Sequence, residues 1–232
     1  MSNLKYFLEI EKNNGKVFVC GDIHGEYDQF MEHLRNIDFN FDEDLMICTG
    51  DLVDRGKKSL DCFNLIYKDW FISCRGNHEQ FCHDAFYNEN VIRHHISNGG
   101  LWFESLPDDV RKVIADRVEE MPYAITLLRN GKKYGFVHAD IHPDVTSWNI
   151  VKDNILNDGL SAYKELCIWG RSRVRASMKT RWSNHDENII NDVDEVFIGH
   201  TVIHERKKVG NINFIDTGLV YDSYNKLTII EL

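Results

Sequence analysis

Short apolar, β-branched or aromatic runs that stop abruptly at polar clusters recur along the chain. Val17-Phe18-Val19-Cys20 halts at Gly21-Asp22, and Leu45-Met46-Ile47-Cys48 leads to Gly50-Asp51. Phe71-Ile72-Ser73-Cys74 gives way to Arg75-Gly76-Asn77-His78, residues 134–137 to His138, and Val196-Phe197-Ile198 to Gly199-His200. Runs this short and this uniformly apolar predict strands buried on both faces. Between the first three, the spacing turns helical: Phe30, Leu34 and Ile37 recur on one face, as do Leu60, Phe63, Ile66 and Tyr67. The alternation is βαβαβ, which builds a largely parallel sheet and places ligands outside the carboxyl ends of the strands, where the polar clusters fall.

Residues 79 to about 121 read as mainly helical, with Val110, Val113, Ile114, Val118 and Met121 in one stripe ended by Pro122. Residues 212–215 and 227–230 predict further strands, expected to form a second, partly antiparallel sheet. The expected fold class is α/β, two packed mixed β-sheets flanked by helices, with the site at the C-terminal strand ends. With only three prolines and no linker or internal repeat, residues 1–232 are expected to form a single catalytic domain.

Composition narrows the function classes. Of 232 residues, 43% are apolar and 28% charged, as in a well-cored globular protein. No apolar run approaches the roughly 18 to 20 residues of a membrane span, and MSNLKYFLEI already contains Lys5 and Glu9. Neither a membrane partner nor a secretion signal is expected. Lys and Arg total 27 against 37 Asp and Glu, a net charge of −10, which opposes nucleic acid as a partner. The six cysteines (Cys20, Cys48, Cys62, Cys74, Cys82, Cys167) form no CxxC pair, so reduced thiols and a cytoplasmic location are expected.

The strand ends carry Asp22 and His24, then Asp51, then Asn77, and later His138 and His200. Six oxygen and nitrogen ligands exceed what one catalytic ion needs, but they suit two ions about 3.5 to 4 Å apart sharing a carboxylate. Asp51 is the natural bridge. Imidazole, carboxylate and amide without thiolate fit manganese or iron best, with zinc or nickel acceptable. Two such ions make hydroxide available near neutral pH, so hydrolysis follows. Arg55, Arg75 and Arg171 supply forks that match phosphoryl oxygens. His78, beside Asn77 but directed away from its metal, is free to protonate a leaving alkoxide, with Asp54 orienting it.

Taken together, GDIHG at 21–25, GDLVDRG at 50–56, GNHE at 76–79, VHAD at 137–140 and GHT at 199–201 resemble the calcineurin-like metallophosphoesterases, specifically the phosphoprotein phosphatase branch with its bacteriophage and bacterial members. The resemblance spans nearly the whole chain and includes NGG-x-WF at 98–103, IW-x-R-x-R at 168–173 and IDTG at 215–218. It implies that Asp22, His24 and Asp51 hold one ion and that Asp51, Asn77, His138 and His200 hold the other. It also implies that Asp54 and His78 form the acid pair and that Arg55, Arg75 and Arg171 hold phosphate. Choosing Arg171 over Arg173 rests on the family pattern alone. The implied activity is metal-dependent hydrolysis of phosphoserine and phosphothreonine in phosphoprotein or phosphopeptide substrates, with phosphotyrosine a further candidate. A diadenosine tetraphosphatase type of nucleotide hydrolase is the alternative, disfavoured by Asp54 and Glu79. A metal-free scaffold is disfavoured by the complete ligand set.

Other conspicuous residues have plain readings. His33, His83, His94, His95, His142, His185 and His204 are expected to be surface or satisfied polar residues, with His142 as a possible rim contact. Cys20, Cys48 and Cys74 are expected to be small buried hydrophobes. Arg206-Lys207-Lys208 is expected to be a solvated hairpin face, and Gly99-Gly100 with Trp102 either a substrate contact or a loop turn with a buried aromatic.

Overall fold

The computed structural model describes residues 3–4, 6–157, 161–179, 189–221 and 226–232. Its strands are β1 (Asn3–Leu4), β2 (Phe7–Glu11), β3 (Val17–Cys20), β4 (Leu45–Cys48), β5 (Phe71–Ser73), β6 (Ala124–Arg129), β7 (Lys132–Val137), β8 (Glu195–Ile198), β9 (Lys207–Val209), β10 (Ile212–Phe214) and β11 (Ile229–Glu231). They form two sheets, a four-stranded one in the order β11-β3-β4-β5 and a seven-stranded one in the order β1-β2-β6-β7-β8-β10-β9. In the first, β3, β4 and β5 are parallel and β11 is antiparallel. The second mixes both senses, with β7, β8 and β10 parallel and β6 antiparallel to β7.

Side-chain alternation explains why the sheets stack. Val17, Val19, Leu45 and Ile47 face Ile125, Leu127, Phe136 and Phe197 of the larger sheet in one cluster. On the other face Phe18, Cys20, Met46 and Cys48 pack against Phe30 and Leu34 of α1 (Tyr27–Asn36). The outer face of the larger sheet, with Val137, Val196 and Ile198, is covered by Trp148, Val151 and Ile155 of α7 (Trp148–Leu156). Both faces of the central strands are therefore dry, which is why their sequence is uniformly apolar rather than alternating.

The first three strands and their intervening helical segments lie where the periodicity puts them, although the second segment is α2 (Ser59–Phe63) continuing as a single 3-10 turn over Asn64–Tyr67. The helical excursion resolves into α3 (Asn77–Tyr87), α4 (Glu89–Ser97), α5 (Leu101–Glu104) and α6 (Asp108–Glu120), and Val113 of the expected stripe is exposed. One expectation needs correction. Residues 212–215 and 227–230 do not share a second sheet: Ile212–Phe214 extends the seven-stranded sheet parallel to β8, while Ile229–Glu231 pairs antiparallel with β3 in the other. Strands β2 and β6 were not anticipated, although Asn130-Gly131, with φ of 50° and 78°, is the tight turn that joins β6 to β7.

Candidate active site

The site is assembled first from the turns that follow β3, β4 and β5. After β3 the chain turns at Asp22, and the backbone N–H groups of Ile23 and His24 both donate to the Asp51 carbonyl at 3.0 and 2.9 Å. The turn after β5 is fastened by Glu79, one turn into α3. Its carboxylate accepts from the N–H groups of Gly76, Asp51 and Leu52 at 2.8, 2.9 and 2.8 Å. Gly76 is required here, since a Cβ would lie 2.2 Å from Asp51 Oδ1. His24, Asp51, Asp54, Arg55 and His200 all have positive φ, between 47° and 71°, so these five functional side chains stand on left-handed backbone.

The six expected ligands converge. His24 Nδ1 lies 2.9 Å from the Val53 carbonyl and His138 Nδ1 3.1 Å from the Thr49 carbonyl. Donation through Nδ1 leaves each Nε2 as an inward lone pair. His138 Nε2 then faces Asn77 Oδ1 at 3.0 Å, His200 Nδ1 at 3.1 Å and Asp51 Oδ1 at 3.4 Å. Four acceptors crowded together cannot satisfy one another; a cation among them can. The other oxygen of Asp51 lies 3.6 Å from His24 Nε2, which is itself 3.9 Å from Asp22 Oδ2. Asp51 thus turns one oxygen to each group, and the donor set fits two divalent cations. Asp22, at the outer end, accepts from the His200 N–H with both oxygens at 3.1 Å.

Electrostatics agree with this layout. Burial opposes the Asp51 anion, yet the rings of His138, His78 and His24 hold it well below the usual carboxylate range. Burial, with Asp216 and Asp51 beside it, pushes Asp22 well up. His24 falls to about 3 and His200 to about 2, each through burial first and then a neighbouring ring, His78 and His138 respectively. Neutral imidazoles are the ligating form. Of the three ligand rings only His138 is drawn the other way: the cost of burial is outweighed by Asp51 beside it, which raises it above the ordinary value.

Beside this cluster His78 Nδ1 lies 2.6 Å from Asp54 Oδ2, and its Nε2 lies 2.8 Å from the Arg55 guanidinium. The same guanidinium contacts His24 Nε2 and sits over the Tyr221 ring. Arg171, half-buried, donates to Thr201 Oγ1 at 3.0 Å and feels the carboxylates of Asp51, Asp22 and Asp216. Arg173 is buried and donates to the carbonyls of Ile141, His142, Pro143 and Val145, so of the two it is Arg171 that adjoins the cluster.

Arg75 does not join it. Its side chain is 1% exposed and stacks over the Tyr123 and Tyr6 rings, with Nη1 donating to Tyr123 Oη at 2.9 Å and to Gln80 at 3.0 Å. Nearness to Asn77 in sequence misleads here. The Arg75 N–H donates to the Pro122 carbonyl, and the side chain follows that contact into the packing beside β6. Sequence reasoning also missed His95, which is fully buried with Nε2 3.1 Å from Asp54 Oδ2, and Trp102, whose Nε1 donates to Asp54 Oδ1 at 2.6 Å. The signal for His95 was helical period: Val91, Ile92 and His95 face inward on α4 while His94 is exposed. Asp216, buried at the site edge and raised by burial to about 6, lay unremarked within the IDTG stretch. Among the other histidines, His94, His142 and His204 are exposed, His33 and His83 half-buried, and His185 lies outside the described residues.

The model of the family described as calcineurin-like phosphoesterase matches residues 15–204, the stretch that carries every one of these groups except Asp216 and Tyr221. The chain is a calcineurin-like phosphoesterase. Serine/threonine-protein phosphatase 2 of Escherichia coli is 32% identical over 205 residues, covering 87% of each protein. The protein of the same name from Salmonella typhimurium is 30% identical over 205 residues with the same coverage. Among solved structures, a Saccharomyces cerevisiae protein serine/threonine phosphatase superposes with a TM-score of 0.59 at 17% identity, covering 91% of this chain and 71% of that one, which supports the phosphoesterase fold.

Proposed function

We propose that this phosphoesterase is a serine/threonine protein phosphatase acting on phosphoprotein substrates with two divalent cations, manganese before iron, zinc or nickel, and that residues 1–232 work as one catalytic domain. The observation that carries the reading is the set of opposed acceptors, His138 Nε2, His200 Nδ1, Asn77 Oδ1 and Asp51 Oδ1, continued by Asp22 and His24 through the second oxygen of Asp51. The ions, when bound there, supply a water of lowered pKa as nucleophile and offset the charge of the phosphoryl group.

The remaining steps belong to the chain. Arg55 and Arg171 hold the phosphoryl oxygens and stabilise the charge that builds on them; a phosphoryl group competes for the donors that Arg55 now turns to His24 and His78. His78 delivers a proton from Nε2 to the departing serine or threonine oxygen while Asp54 holds its Nδ1–H. No helix of the described residues is long and apolar enough to cross a membrane. The six free, buried thiols support a reducing, cytoplasmic setting.

The test is release of phosphate from a phosphoserine peptide, a phosphotyrosine peptide and diadenosine tetraphosphate, with Mn²⁺ and after chelation. The expected result is metal-dependent turnover, fastest on the phosphoserine peptide. Faster turnover of the dinucleotide would move the chain to the nucleotide hydrolases, and undiminished turnover after exhaustive chelation would remove the ions from the account.

A further inference from the structure

Resting on the acid pair just described, we infer that His95 is a positioning residue for proton delivery, fixing Asp54 and through it the ring of His78. Asp54 is fully buried and its carboxylate is surrounded by three ring nitrogens: His78 Nδ1 at 2.6 Å, Trp102 Nε1 at 2.6 Å, and His95 Nε2 at 3.1 and 3.2 Å from its two oxygens. These come from α3, α5 and α4 in turn. Its own backbone N–H donates to Ser59 Oγ at 3.0 Å, so the residue is held at both ends.

The tautomer of His95 follows from its surroundings. Nδ1 is buried with no hydrogen-bond partner, its nearest carboxylate oxygen being Glu104 Oε1 at 3.9 Å, so the ring proton resides on Nε2 and is donated to Asp54. The ring is clamped between Phe81, stacked at 5.7 Å, and Phe103 at 5.6 Å. Gly100 makes the space, since a Cβ there would lie 2.1 Å from His95 Cδ2. A carboxylate accepting three such bonds favours its anion and keeps one orientation, in accord with an Asp54 that hydrogen bonds from His78 and His95 bring to about 2 against the cost of burial. Without the His95 bond, Asp54 can swing on the remaining two contacts, and the His78 ring loses its bearing on the leaving oxygen.

A positioning role has a signature that a packing role lacks: it scales with the leaving group's need for a proton. The experiment measures kcat, KM and bound metal for the Mn²⁺-loaded enzyme and for His95→Leu, His95→Gln, Trp102→Phe and Asp54→Asn, on a phosphoserine peptide and on p-nitrophenyl phosphate. His95→Leu should lose roughly 10- to 100-fold in kcat on the peptide and no more than a few-fold on the activated ester, at unchanged KM and metal content. His95→Gln, which keeps a side-chain N–H, should recover most of the loss. In an Asp54→Asn background His95→Leu should add nothing further. Equal losses on both esters, or loss of metal, overturn the inference. If His95→Leu does not fold, His95→Met is measured in its place and equal losses on both esters overturn the inference, as does a Trp102→Phe enzyme, lacking another of the three bonds to Asp54, that slows both esters alike. If Asp54→Asn itself shows no difference between the esters, the acid reading fails; a split for Asp54→Asn but none for His95 sinks only the role of His95.

Discussion

The two halves of the site are built differently. The half from the four-stranded sheet arrives on three successive strand-to-helix turns, so Asp22 and His24, Asp51 to Arg55, and Asn77 to Glu79 come as contiguous groups in which ligand, acid, fork and fastening residue are a few positions apart. The half from the seven-stranded sheet supplies His138 and His200 singly from the ends of β7 and β8, with Arg171 from the segment between α8 (Ser161–Trp169) and α9 (Ser172–Lys179). The first half is held by hydrogen bonds among its own turns and to the Glu79 carboxylate, whereas the second is held across the stacked sheets, with the His200 N–H on Asp22 and His138 Nδ1 at the Thr49 carbonyl. Chemistry that needs many groups in fixed relation is encoded locally; chemistry that needs a single lone pair is borrowed from across the core.

The sharpest way to break this comparison is at the bridge. Asp51→Asn should cost both ions and roughly 10³-fold or more in activity, while Asp22→Asn costs chiefly one, as metal analysis of the purified variants will read. Equal loss of a single ion in both variants would show that Asp51 does not join the halves. Next in size, His24→Ala and His200→Ala should each lose one ion, and combining them should lose both. If each alone empties the whole centre, the halves are not separable.

Smaller effects separate Arg171 from Arg75. Arg171→Ala should lower kcat by roughly 10- to 100-fold with an unchanged urea midpoint. Arg75→Ala should instead destabilise by roughly 2 to 4 kcal/mol, since it removes a buried side chain that stacks on two aromatic faces and donates two hydrogen bonds. Its kcat per folded molecule should not change. A phosphate-binding defect in Arg75→Ala would restore it to the site.

The smallest effect concerns the acid end of the first half. Asp54 is lowered from 3.8 to about 2, so its folded anion contributes about 2 kcal/mol of stability. That contribution is fully present above pH 3.8 and is lost as the pH falls from there through about 2. Comparing urea unfolding of the wild type and Asp54→Asn between pH 6 and pH 3, the gap should narrow on acidification. A gap that widens would contradict the sign.

Legibility in the sequence followed the same division. Dry central strands declare themselves because nearly every position is apolar, Ser73 of β5 being the exception, and each first-half group ends such a run, so β3, β4, β5 and the residues behind them were readable. His138 and His200 were readable for the same reason. Strands β2 and β6 were not: Leu8, Glu9 and Ile10 are half-buried and Glu11 exposed, so β2 lacks the uniform run, and no metal-capable cluster marks the end of β6. Arg75 was misplaced because distance along the chain says nothing of which way a side chain leaves a strand end. His95 and Trp102 were unreadable as partners of Asp54 because they reach it from 41 and 48 positions away, through the packing of α4 against α3 and of α5 against α4.

The left-handed backbone at His24, Asp51, Asp54, Arg55 and His200 has a consequence for how this protein responds to selection. Each such residue costs about 1 kcal/mol or more relative to relaxed backbone, a large share of the roughly 5 to 15 kcal/mol that holds an ordinary domain together. Glycine relieves that backbone cost at any of the five, but it removes the functional side chain and, at Asp54, the stability its anion contributes. Tyr6, Asp38, Asn130 and Asp192 share the same conformation away from the site, and glycine at Asp38 or Asn130 offers the relief without loss of a site residue. Backbone relief and turnover therefore compete at the five site positions, and do not at Asp38 and Asn130.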